Sequence, residues 1–115
     1  MAHMSNYLKN KVLNENLRDS TVYAALFSGD SEVSQPSYER QQVTFIPPNE
    51  GQTSNSQDVL FPIAEEEWGN ITHIAVYDSQ TGGNLLFKNN AEFVKTIDVS
   101  SQYKIPKNYL IIRLR

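Results

Sequence analysis

Apolar positions recur at helical spacing only near the start of the chain. In "SNYLKNKVLNENLRDS", Leu8, Val12, Leu13 and Leu17 fall within one broad half of a helical wheel, and Ser5 or Asn6 supplies an N-cap acceptor. The spacing predicts a short amphipathic helix over about Asn6 to Leu17. From "TVYAALF" onward the period is two. Val22, Ala24 and Leu26 point one way and Tyr23, Ala25 and Phe27 the other, and both sets are apolar, so this strand needs cover on both faces. The helix is expected to lie over one of them.

Later segments keep the strand period. "RQQVTF" places Gln41, Val43 and Phe45 on one face and Arg40, Gln42 and Thr44 on the other, and Pro47-Pro48 ends it. "SGDSEVSQPS" before it and "NEGQTSNSQ" after it read as polar, turn-rich connections. "DVLF" restores a short strand with Val59 and Phe61 inward, and "AEEEWGN" follows as a loop or short helical turn. "ITHIAVY" and "NLLF" read as a hairpin, "EFVKTIDV" as a strand with Phe93, Ile97 and Val99 on one face, and "YLIIRLR" as a last strand with Leu110, Ile112 and Leu114 on one face. Turn signals fall between the strands and no second helix of convincing length is present. The expected fold is mainly all-β, an antiparallel β-sandwich of about seven strands with one short N-terminal helix. It forms a single domain over residues 4–115, because "MAHM" reads as a cloning remnant that sets residues 1–3 aside.

Composition narrows the functional classes. A net charge of -3 offers no long-range attraction to nucleic acid or anionic lipid, which reward clustered positive charge. With no cysteine, the domain stands on packing alone or on assembly with copies of itself. No apolar run approaches the roughly 20 residues of a membrane-spanning helix, and the start lacks the regions of a signal peptide. A soluble protein made in the cytoplasm is expected.

Candidate chemistry is sparse. The pair Gly82-Gly83 in "YDSQTGGNLLF" would cradle a phosphate only if a helix followed it, whereas "NLLF" is strand-like. The pair reads as a sheet corner at positive φ, with Asp78 or Ser79 bonding back to the backbone. His73 lies in a strand among apolar neighbours without histidine or cysteine partners, so a structural role is expected for it. Glu65-Glu66-Glu67 reads as solvated surface, since adjacent carboxylates diverge. No serine elbow is present, and no spacing selects a carboxylate pair. The reading is of a non-enzyme with no catalytic residue, metal or cofactor. Tyr38, Trp68, Tyr103 and Tyr109 sit at apparent strand edges or loops and are the candidate partner-binding residues, with core or rim plugs as their structural alternative.

Taken in order, "SNYLKNKVLNENLR", "TVYAALFSGD", "EVSQPSYERQQVTF" and "VLFPIAEEEWGNITHIAVYDSQTGGNLLF" resemble the small tail-fibre or head-decoration type virion proteins of tailed bacteriophages. The remaining segment, "EFVKTIDVSSQYKIPKNYLIIRLR", matches in pattern only. The resemblance implies a virion structural protein, made in the host cytoplasm, that binds other virion proteins of tail, neck or capsid and its own copies as a homo-oligomer. It implies no nucleic-acid or membrane partner and carries over no chemistry. The competing reading is a receptor- or glycan-binding module at the phage surface, using loops Ser31 to Ser37 and Asn49 to Gln57.

Overall fold

In the computed structural model, which describes residues 4–114 apart from the side chains at 92 and 93, Ser5 opens the helix that the spacing predicts. Its hydroxyl accepts the Leu8 N–H at 3.1 Å, satisfying one of the free donors of the first turn. Helix α1 runs Asn6–Leu13 and continues as a wider π-helical turn over Asn14–Arg18. Leu13 and Leu17 enter the core, but Leu8 is 42% exposed, against expectation. The docked face is set instead by Lys9, Asn10 and Leu13. Asn10 Oδ1 accepts the Gly51 N–H at 2.9 Å, and at about 100° per residue that face lies on the far side of the helix from Leu8.

Five strands form the main antiparallel sheet. Strand β1 (Val22–Ser28) pairs along one edge with the later strand β6 (Gly69–Tyr77), and its far edge is shared by the short strands β2 (Ser31–Glu32) and β3 (Gln41–Val43). Strand β7 (Leu85–Ile97) flanks β6. Two further antiparallel ribbons make the opposing layer. One pairs β4 (Gln52–Ser54) with β9 (Ile111–Arg113), the other β5 (Val59–Leu60) with β8 (Lys104–Ile105). Val22, Ala24, Leu26, Ile74 and Val76 from the main sheet share one core with Val59, Phe61, Ile105 and Ile112 from the ribbons and with Leu13 and Leu17 from the helical segment. This is the expected sandwich, with the helix closing one end against β4.

The second face of β1 is covered differently from the expectation of a whole layer. Ala25, Phe27 and Ala75 are buried beneath Tyr77, which stacks on Phe27 with ring centroids 6.4 Å apart. The Arg40 guanidinium lies 3.7 Å from the Tyr77 ring centroid, and Lys88 Nζ lies 4.4 Å from that of Phe27. Small residues at positions 25 and 75 leave little area to cover, so two long cationic side chains suffice where another sheet would otherwise be needed.

Two strands expected to be separate, "NLLF" and "EFVKTIDV", are one. Register runs Val76↔Phe87 to His73↔Asn90 and resumes at Ile71↔Lys95, so Thr72 alone stands opposite residues 91–94 in a wide bulge. Ile97 is buried as expected, whereas Val99 is 61% exposed, because β7 has ended and the chain turns at Ser100 with φ 71°. The inward placement expected for Phe93 lies outside the described side chains, as the reading of residues 1–3 lies outside the described chain. The segment "AEEEWGN" is a bent loop up to Trp68, after which Gly69 opens β6.

Candidate functional site

The four aromatic candidates do not share one surface. Tyr38, Trp68 and Tyr103 form a chain of aromatic contacts through Phe61 and Tyr38. Tyr38 stacks on Phe61 at 6.2 Å and meets Trp68 edge-on at 5.6 Å, while Tyr103 meets Phe61 edge-on at 6.1 Å. Trp68 is only 3% exposed and donates from Nε1 to Ser37 Oγ at 3.0 Å, and Tyr103 is likewise buried. Their place at the ends of strands made them read as rim residues. The ribbon β5–β8 folds over that rim and turns it into core.

Tyr38 also joins a polar lock. Its hydroxyl donates to Glu32 Oε2 at 2.6 Å and accepts the Leu26 N–H at 3.0 Å. Arg40, itself buried, forks onto both Glu32 oxygens at 2.8 Å and sends Nη1 to the carbonyls of Ser79 and Gly82 at 2.9 and 2.8 Å. Burial pushes the Glu32 carboxyl up, but the hydrogen bonds from Arg40 and Tyr38, with the charge of Arg40, hold it below its ordinary value. Burial and the neighbouring carboxylate raise the Tyr38 phenol, and the hydrogen bond to Glu32 raises the Arg40 guanidinium. The assembly behaves as a clamp on the corner 78–84.

That corner has the expected geometry. Gly82 and Gly83 have φ of 62° and 73°, Asp78 Oδ1 accepts the Asn84 N–H at 2.7 Å, and a strand follows. His73 is half-buried and its Nδ1 lies 2.8 Å from Thr72 Oγ1. Of the acidic run, Glu66 turns in to bond Ser37 through its backbone N–H at 3.1 Å and through its hydroxyl, while Glu65 and Glu67 face solvent. Among the described residues no group of three His, Cys, Asp or Glu converges to hold a metal, and no helix is long and apolar enough to cross a membrane.

Among the described residues nine large apolar ones are exposed, Tyr7, Leu8, Leu85, Val94 and Ile111 on other elements and four on or beside the ribbon β5–β8. On and beside the β5–β8 ribbon, Leu60 is 53%, Ile63 58%, Val99 61% and Tyr109 47% exposed. Leu60 pairs with Lys104, and beyond β5 the contacts Phe61 N–H to Tyr103 O and Ser100 N–H to Ala64 O carry the pairing on, so that Ile63 and Val99 lie toward one end of the ribbon and Tyr109, past β8, toward the other. Alternation accounts for Val59 and Phe61 inward with Leu60 out, and the period breaks at Pro62, beyond which Ala64 is buried and Ile63 faces out. Sequence reading singles out Tyr109 alone of these, since it places Val99 on a core face and gives Leu60 and Ile63 no role. Beside the ribbon a cavity of ≈ 150 Å³ opens between Lys95, where β7 resumes its register after the bulge, and Tyr103, Lys104, Ile105 and Tyr109, with Ile74 among its lining.

The fold is a β-sandwich whose buried polar groups are bonded to one another and whose surface carries exposed apolar residues beside the β5–β8 ribbon, the class of a small all-β domain. The chain belongs to the phage family described as Podophage GP4 fiber I protein gp80, whose model matches residues 3–113. It is thus a bacteriophage fibre-type structural protein of the virion. No curated protein matches the sequence.

Proposed function

We propose that the protein acts in the fibre by protein–protein contact, docking the outer face of the β5–β8 ribbon on neighbouring virion proteins, its own copies among them. The observation that carries this is the exposure of Leu60, Ile63, Val99 and Tyr109 along and beside one ribbon, with a cavity at its Tyr109 end. Covering the half-exposed Leu60, Ile63 and Val99 stabilises a contact by roughly 1 kcal/mol each, against about 4–15 kcal/mol lost in association, so the strip alone does not hold a partner. Repetition along a particle does, since each contact after the first forms at high effective concentration. This role involves no catalysis, and the polar cluster of Glu32, Tyr38 and Arg40 is bonded within itself and to the corner.

Receptor or glycan binding by loops Ser31 to Ser37 and Asn49 to Gln57 is less well supported, since Thr53, Ser54 and Asn55 are turned inward and satisfied within the fold. The same holds for capsid decoration, to which no observation points. The test is incorporation. Phage carrying the double variant Leu60→Asp, Val99→Asp should lose the protein from purified particles by mass spectrometry while the variant stays folded. Wild-type amounts in those particles would contradict the reading.

A further inference from the structure

A cavity of ≈ 150 Å³ is the size of one side chain rather than of a sugar or nucleotide. Its apolar lining of Ile74, Ile105 and Tyr109 is rimmed by two half-free ammonium groups. Lys95 Nζ donates to the Gln102 carbonyl at 2.9 Å, and Lys104 Nζ stands 3.3 Å from Asp58, both residues of that pair about half exposed. A fitting plug therefore has an apolar side chain followed closely by carboxylates. The same chain carries one: exposed Ile63 precedes Glu65 and Glu67, which face solvent while Ala64, Glu66 and Trp68 turn inward. Among the described residues neither Glu65 nor Glu67 makes a side-chain hydrogen bond or ion pair. On the ribbon, with Leu60 opposite Lys104, Ile63 lies toward one end and the cavity toward the other.

We propose that a second copy of this chain plugs the cavity, Ile63 of one copy entering beside Tyr109 of the next while Glu65 and Glu67 meet Lys95 and Lys104. Each copy carries both plug and socket, so the contact is available twice per copy, reciprocally in a two-fold dimer or head to tail along a series of copies. The free edge of β7 is the competing contact, but Lys88, Lys95 and the bulge at 91–94 blunt it against strand pairing. This inference rests on the contact-making role proposed above and adds the identity of one partner.

Sedimentation velocity and light scattering on the intact chain test it. Wild type should self-associate. The variant Glu65→Lys, Glu67→Lys and the variant Lys95→Glu, Lys104→Glu should each weaken association roughly 10–100-fold, and Ile63→Asp at least as much. Combining all four charge reversals in one chain should restore association, because attraction returns only if the two groups face each other across the contact. Melting curves establish that the variants are folded, and the combined variant is its own control. A monomeric wild type, unchanged association in either two-site variant, or failure of the combined variant to recover would each overturn the proposal. If the wild type is monomeric yet Leu60→Asp, Val99→Asp still removes the protein from particles, self-contact falls while the role in the particle stands.

Discussion

Replacing Asn55 with Ala should destabilise the fold more than any other single polar substitution. Asn55 is fully buried, and its amide donates to the carbonyls of Gln57 at 2.7 Å and Pro106 at 2.9 Å while its Oδ1 accepts the Leu110 N–H at 2.9 Å. Its own carbonyl takes the Asn108 N–H at 3.0 Å, so this one residue ties the end of β4 to the 106–110 turn that precedes β9. Alanine removes all three side-chain bonds and leaves the buried Leu110 N–H and the Gln57 carbonyl without these partners, while the Pro106 carbonyl keeps the Tyr109 N–H. At about 1 kcal/mol net per lost bond, plus the cost of orphaned buried groups, the expected loss is about 3–5 kcal/mol, a large share of the stability of a small domain. Ser54→Ala is the control, since it gives up a single bond to Asn108 Oδ1 and should cost about 1 kcal/mol. Equilibrium urea unfolding reads both. A loss below about 1 kcal/mol for Asn55→Ala would refute the claim that this network holds the second layer in place.

Other perturbations separate the remaining claims. Phe61→Ala should cost about 3–5 kcal/mol in urea unfolding, because Phe61 is buried between Tyr38 and Tyr103. Gly83→Ala should cost more than Gly82→Ala, about 2 against 1 kcal/mol or more. Both have positive φ, but a Cβ on Gly83 would come within 2.5 Å of Asp78 Oδ1 while one on Gly82 meets nothing within 4 Å. Equal melting temperatures for the two would contradict the corner geometry. The Glu32 carboxyl, held below its ordinary value of 4.5 in the folded state, contributes stability that is present above that value and lost as pH falls through the lowered one. Melting temperature against pH should therefore drop less steeply below 4.5 in Glu32→Gln than in wild type, and superimposable slopes would remove Glu32 from the lock.

The sequence carried the sandwich because its central strands are long and apolar. Val22 to Phe27 is apolar without interruption, and β6 carries a similar run in Ile74, Ala75, Val76 and Tyr77. It did not carry β4, whose residues Gln52, Thr53 and Ser54 are all polar, since hydropathy cannot tell a solvated threonine from one whose hydroxyl donates to the Ile46 carbonyl at 2.6 Å. The turn that starts it, with Glu50 and Gly51 at φ of 54° and 77°, was visible only as polar residues around a glycine. Fusion of two strands into β7 was hidden for a related reason. A bulge breaks the period of two, so one strand reads as two. For the candidate site, exposure of an aromatic follows from what folds over it. Tyr109 faces solvent and Trp68 does not, and nothing local to either residue encodes the difference. The strip of Leu60, Ile63 and Val99 was likewise legible as residues but not as a surface, which forms only when the 59–64 and 99–105 segments pair.

Lysine-directed cross-linking of intact phage, read by mass spectrometry, addresses the docking face most directly. Lys95 and Lys104 rim the cavity beside the exposed strip, whereas Lys9 and Lys11 lie on the helix and Lys88 covers the far face of the main sheet. The account predicts that cross-links from this chain to neighbouring virion proteins or to its own copies run through Lys95 and Lys104. Intermolecular links confined to Lys9, Lys11 and Lys88 would contradict it.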